Sequence, residues 1–153
     1  IPDFDAQTGD LPPGIHPAAW DEFSTRFGGT PHRRRLLVGL RRALEALRLA
    51  GCTTAYVDGS FITAKDVPND FDACWDPRGV RIADLDPVLR TFDPGRATQK
   101  AKYLGELFPM GVPADPSGAT FLEFFQTNRQ SGLRKGIVVW FEEAPMIKND
   151  REY

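Results

Sequence analysis

The sequence predicts an α+β fold: a small mixed or antiparallel sheet with helices packed on it. Three observations predict it. Residues 31–50 repeat their apolar side chains at the helical period. Two short runs, 53–57 and 136–141, are rich in β-branched and aromatic residues, as strands are. Strand and helix signals follow one another irregularly instead of in strict βαβ alternation, which points to a mixed sheet. With 153 residues the chain has the size of one domain and can bury a sizeable core. It divides into an N-terminal arm with a short helix, 1–29, and a main body, 30–153.

The elements follow in order. Residues 1–19 hold four prolines, which remove backbone donors and block helices, so an extended arm is expected. A short helix over 18–27 would carry Trp20, Phe23 and Phe27, ended by Gly28-Gly29. Thr30 can cap the long helix, Pro31 suits its first position and Gly51 its end. Leu36, Leu40, Ala43, Leu44 and Leu47 form its buried stripe, with Arg34, Arg41 and Arg48 roughly opposite. The run 53–57 is a strand leading into Asp58-Gly59-Ser60. A second strand spans 70–75, a helix 84–92 and a third strand 103–108. Residues 110–119 form a loop. A helix over 120–129 would place Phe121, Phe124 and Phe125 in the core, and 136–141 is the last strand.

Composition excludes several classes of function. The charge is nearly balanced, 19 Lys+Arg against 21 Asp+Glu, so no global basic field recruits nucleic acid. Two cysteines, Cys52 and Cys74, and two histidines do not make a zinc site; the cysteines read as buried thiols in a reducing compartment. No apolar run is long enough to span a membrane, and no charged start precedes an apolar stretch, so neither membrane insertion nor a signal peptide is expected and the chain reads as cytoplasmic.

The chemistry concentrates in residues 57–72. Side chains alternate along a strand, so Asp70 and Asp72 point the same way while Phe71 and Ala73 point to the other face. Two carboxylates about 7 Å apart on one face repel unless a cation lies between them, and such oxygen ligands suit Mg²⁺. Gly59 allows close backbone approach, and the Gly59 and Ser60 N–H groups can donate to phosphate oxygens. Lys65, in the spacer between the two motifs, can reach a phosphate as a point charge; Lys100 and Lys102 are further candidates, and Lys135 a weaker one. Arg34, Arg41 and Arg48 could form a patch for an RNA backbone, or simply a solvated helix face.

Gly59-Ser60 after a strand, a nine-residue spacer and Asp70-Phe71-Asp72 together resemble the signature of the DNA polymerase β superfamily of nucleotidyltransferases. The wider texture, including 105–109 and 121–138, is similar to a group of small bacterial proteins described only as nucleotidyltransferase-like. The resemblance implies a polymerase β-type core over 30–153, with Gly59 and Ser60 holding a nucleoside triphosphate. It also implies two Mg²⁺ (or Mn²⁺) ions on Asp70, Asp72 and a third carboxylate. Glu106 is the choice for the third carboxylate, with Asp115 and Glu123 as alternatives. The implied reaction is nucleotidyl transfer from an NTP to a hydroxyl of a tRNA-like RNA or a protein acceptor, in a toxin–antitoxin setting. The alternative is a non-catalytic relative that serves as an antitoxin or regulatory partner.

Overall fold

A computed structural model describes residues 1–141 of the chain. The element order is β1 (Gly14–Pro17), α1 (Trp20–Phe27), α2 (Pro31–Leu49), β2 (Thr54–Asp58), β3 (Phe71–Trp75), α3 (Ala97–Tyr103), β4 (Gly105–Pro109), α4 (Phe121–Phe124) and β5 (Gly136–Phe141). The strands form one mixed sheet in the order β1-β5-β2-β3-β4. β2 runs antiparallel to both β3 and β5, whereas β1 is parallel to β5 and β4 to β3. The α+β class and the mixed sheet agree with the sequence expectation.

Alternation along the strands divides the sheet into two faces. Val57, Ala73, Leu107 and Val138 share one face in register and are essentially inaccessible. Leu40 and Leu44 of α2 and Phe23 of α1 pack against Val57 and Val138, so this face carries the main core. Gly39 lets α2 press onto the end of α3: a Cβ there would meet the Tyr103 carbonyl oxygen at 2.0 Å. The opposite face carries Asp58, Asp72, Glu106 and Phe108.

α2 keeps its expected boundaries. The Thr30 hydroxyl accepts from the Arg33 N–H, Pro31 opens the helix, and Gly51 follows in the left-handed region. Four expectations need correction. First, residues 14–17 do more than extend: they join the sheet as an edge strand, where Pro17 is tolerated. Second, 84–92 is no helix. Pro87 holds Asp86 in an extended conformation, and only a single tight turn, Pro87–Arg90, follows.

Third, an unexpected helix, α3, precedes β4. Leu104 leaves that helix in the left-handed region, so the strand begins at Gly105 instead of 103. Fourth, the helix expected over 120–129 is one turn. Thr120 and Glu123 form a reciprocal cap, and the chain then folds back through a Thr127–Arg134 bridge. Cys52 and Cys74 are both buried, as expected. Among the described residues no helix is long and apolar enough to cross a membrane.

Candidate functional site

The site starts where β2 ends. Asp58 is the last strand residue, and Gly59 then turns the chain with φ +90°. A Cβ on Gly59 would lie 2.9 Å from Asp72 Oδ2 and 3.1 Å from the Asp72 nitrogen, so only glycine lets this turn press against β3. Phe61 and Ile62 anchor the turn in the core. Arg33, buried on the first turn of α2, secures the spacer behind it. Its guanidinium donates to the carbonyls of Phe61 (2.5 Å), Thr63 (2.9 Å), Lys65 (2.6 Å) and Phe27 (3.3 Å). Three of these carbonyls lie in the turn and spacer and the fourth ends α1, where no strand partner reaches them, so the fork satisfies groups that burial would otherwise penalise.

Three acids stand side by side across adjacent strands. Asp72 on β3 is in register with Asp58 on β2 and with Glu106 on β4. Neighbouring strands are about 4.8 Å apart, which puts like charges at close quarters. Burial, then the charges of Asp70, Glu106 and Asp58, push the Asp72 carboxyl up to about 7, opposed by Lys135. Burial also raises the Asp58 carboxyl, and Lys135 Nζ partly offsets this from 2.8 Å. That ion pair, with the Gly59 N–H beside it, is what the buried Asp58 carboxylate has for compensation. Asp70, just before β3, is more open. Burial raises its carboxyl too, with Lys100 working against the shift. Lys100 Nζ lies 3.1 Å from Glu106 Oε1 and 3.8 Å from Asp70 Oδ2, and Arg96 Nε lies 3.6 Å from Glu106 Oε1.

The acids open into a cleft of about 560 Å³ lined by Gly59, Ser60, Asp58, Asp72 and Glu106 at one end and by Phe108, Phe121 and Phe124 at the other. Among the described residues no group of three His, Cys, Asp or Glu side chains is placed to hold a metal ion. The donor chemistry nevertheless fits a hard cation: the acids offer only oxygens and Asp72 is crowded by like charge.

The structure brings Gly59, Ser60, Asp72 and Glu106 together and sets Asp70 beside them through Lys100. Asp115 and Glu123 are occupied elsewhere, Asp115 accepting from Ser117 and Glu123 capping α4, and neither lines the cleft. Lys65 is exposed and outside the lining, although its charge reaches Asp70. Arg34, Arg41 and Arg48 do not line the cleft either. Arg34 donates to the Gly28 carbonyl, Arg41 sits 5.1 Å over the Trp20 ring, and Arg48 pairs with Glu45. Lys102 pairs with Asp86 at 2.6 Å.

Sequence reasoning missed Asp58 as a site residue, although alternation from Val57 puts it on the Asp72 face. It also missed Arg96 and underrated Lys135. Phe121 and Phe124, expected in the core, are half-buried in the cleft wall; Phe125 alone of the three is core. No curated protein and no solved structure matches the chain. A family model described as a family of unknown function (DUF6932) matches residues 2–140. Because that match spans nearly the whole chain, the protein belongs to the DUF6932 family.

Proposed function

We propose that this protein is a nucleotidyltransferase of the polymerase β type. It would transfer a nucleotidyl group from a nucleoside triphosphate to a hydroxyl of an RNA or protein acceptor. One observation carries the reading: a positive-φ glycine-serine turn packs directly on Asp72, which stands in register with Asp58 and Glu106 on the floor of one cleft. That arrangement supports the sequence resemblance independently, because neither the cross-strand register nor the close approach of Gly59 can be read from the motif spacing.

In this reading Gly59 and Ser60 donate backbone N–H groups to the phosphates at the turn. Asp70, Asp72 and Glu106 would hold Mg²⁺, which when bound neutralises phosphate charge and lowers the pKa of the attacking hydroxyl. Arg96 and Lys100, now resting against Glu106, are within reach of an anion that displaces them. Lys135 pairs with Asp58 beside Asp72 and opposes the effect of its burial. The acceptor oxygen forms a bond to the α-phosphorus as the bond to pyrophosphate breaks, and the hydroxyl proton leaves to solvent. The protein's work is positioning and charge compensation.

A second reading is a binding module on the same fold, acting as antitoxin or regulatory partner. The observation favouring it is that the chain's own cations already engage the acids: Lys135 on Asp58, and Lys100 and Arg96 on Glu106. Incubation with α-³²P-labelled NTPs, Mg²⁺ and cellular RNA or protein separates the two. Wild type should label an acceptor and the D70N/D72N double variant should not. Equal labelling by both proteins would remove the acids from the reaction, and no labelling by wild type with any NTP favours the binding module.

A further inference from the structure

The far end of the cleft does not resemble the acid end. Phe108, Phe121, Phe124 and Phe125 line it, and Phe121 and Phe124 are only half-buried whereas Phe125 is buried. Phe92, Phe108 and Phe121 lie in parallel layers, whereas Phe124 stands at 72° to Phe121. Phe121 and Phe108 stack with centroids 4.0 Å apart and planes 5° apart, and Phe92 continues the series on Phe108 at 6.0 Å and 12°. The Arg129 guanidinium lies 4.8 Å over the Phe124 ring, so that face already takes a flat, polar partner. Arg96 joins the two ends: its Nε lies 3.6 Å from Glu106 Oε1 while its guanidinium is 5.8 Å from the Phe108 centroid. Its backbone sits in the left-handed region at φ 52°, a conformation a non-glycine residue keeps only where its surroundings enforce it.

A single cavity thus carries acids and backbone donors as well as partly exposed aromatic rings. Its volume, about 560 Å³, is that of a small-molecule site. A nucleotide has the same two parts, an anionic phosphate chain and a flat π-surface. We propose that the aromatic end is the nucleobase subsite. The base of the donor nucleotide stacks on Phe124, its triphosphate runs toward Gly59-Ser60, and purines are preferred for their larger stacking face. This inference rests on the nucleotide reading above and adds to it where the base lies and which class it belongs to.

Magnitudes favour the base over the resident guanidinium. An exposed cation–π contact is worth about 2- to 5-fold in an equilibrium constant, whereas stacking a base on an aromatic ring is worth about 5- to 140-fold. Arg129 therefore yields the Phe124 face and remains close enough to cover the other side of the base. Among the cleft's aromatic residues, Phe124 is the better probe. Phe121 also supports Phe108, so its loss disturbs more than stacking.

Calorimetric titration of the full chain in Mg²⁺ with ATP, CTP and tripolyphosphate tests this. Wild type should bind ATP at least 5-fold more tightly than tripolyphosphate, with CTP between them. Phe124→Leu keeps apolar bulk but removes the π-face. It should erase most of the ATP advantage while leaving tripolyphosphate affinity within about 2-fold. Phe124→Trp should keep or enlarge that advantage, and it decides the matter if the leucine variant weakens both ligands. Equal wild-type affinity for ATP and tripolyphosphate, or an ATP advantage that survives Phe124→Leu, overturns the subsite and leaves the nucleotide reading standing. Binding of neither ligand overturns both.

Discussion

Asp72 is the residue on which the site's electrostatics converge. It stands between Asp58 and Glu106 in register, is half-buried, and has a carboxyl pushed up to about 7. The sign of the consequence follows from linkage. In the unfolded chain Asp72 loses its proton near pH 4, whereas in the folded chain it keeps the proton until about 7. Between these values the folded state binds more protons, so this group makes stability fall as pH rises, with no further loss above about 7. Each pKa unit corresponds to about 1.4 kcal/mol, so the penalty above neutrality is on the order of a few kcal/mol. Asp72→Asn removes it. In metal-free buffer at pH 8 the variant should melt above wild type, and the two should converge near pH 4. A variant that melts lower at pH 8 would mean that the crowding is relieved in some other way. Gly59→Ala should act in the opposite direction. It places a Cβ 2.9 Å from Asp72 Oδ2 at φ +90°, and a loss of about 1–3 kcal/mol is expected in urea unfolding.

At the scale of elements, the long amphipathic helix and the central strands were legible because their periods are local. The strand that closes the sheet, β5, was legible from composition alone. α3 was not: residues 97–103 hold two lysines and little apolar spacing, and the helix is fixed by its context. Gln99 is fully buried, accepting from the Leu107 N–H and donating to the Leu107 and Val88 carbonyls. The cross-strand register was equally hidden, because the 59–70 connection sets it and irregular backbone has no period to read. Asp58 was overlooked although its place after Val57 signals its face, and the half-exposed Phe121 and Phe124 were assigned to the core because their helical spacing mimics a core stripe. Arg33 fixes the connection. It is buried and donates to four carbonyls, a role its place among the arginines of α2 does not announce. Arg33→Met strips those donors, and with buried carbonyls costing about 1–3 kcal/mol when left unpaired, a loss of about 2–4 kcal/mol is expected. Arg33→Lys should recover little of it, since an ammonium cannot reproduce the fork. Urea melts give the size of the loss, and faster amide exchange in 61–66 would locate it; unchanged exchange there would contradict the clamp.

For the molecule as a whole, the packing that makes the core also exposes the site. The helices cover one face of the sheet, and their apolar stripes meet Val57, Ala73, Leu107 and Val138. The residues beside three of these along their strands, Asp58 after Val57, Asp72 before Ala73 and Glu106 before Leu107, must then face the other way, under the 110–135 segment that walls the cleft. The fold therefore gathers negative charge although the chain as a whole carries only −2. Occupation of the cleft by a cation and a polyphosphate should be felt globally. At a hundredfold excess over the dissociation constant, ligand binding adds about 2.7 kcal/mol, which for a chain of this size is a rise of roughly 5–11 °C in melting temperature. Because a metal ligand must be deprotonated, the Mg²⁺–NTP shift should be larger at pH 8 than at pH 6, across the titration of Asp72. The D70N/D72N variant should start from a higher melting temperature in metal-free buffer and gain nothing from the ligand. Differential scanning fluorimetry at the two pH values reads all of this. A wild-type shift that is the same at both pH values would place the ligand away from Asp72, and no shift with any of the four triphosphates would favour the binding module.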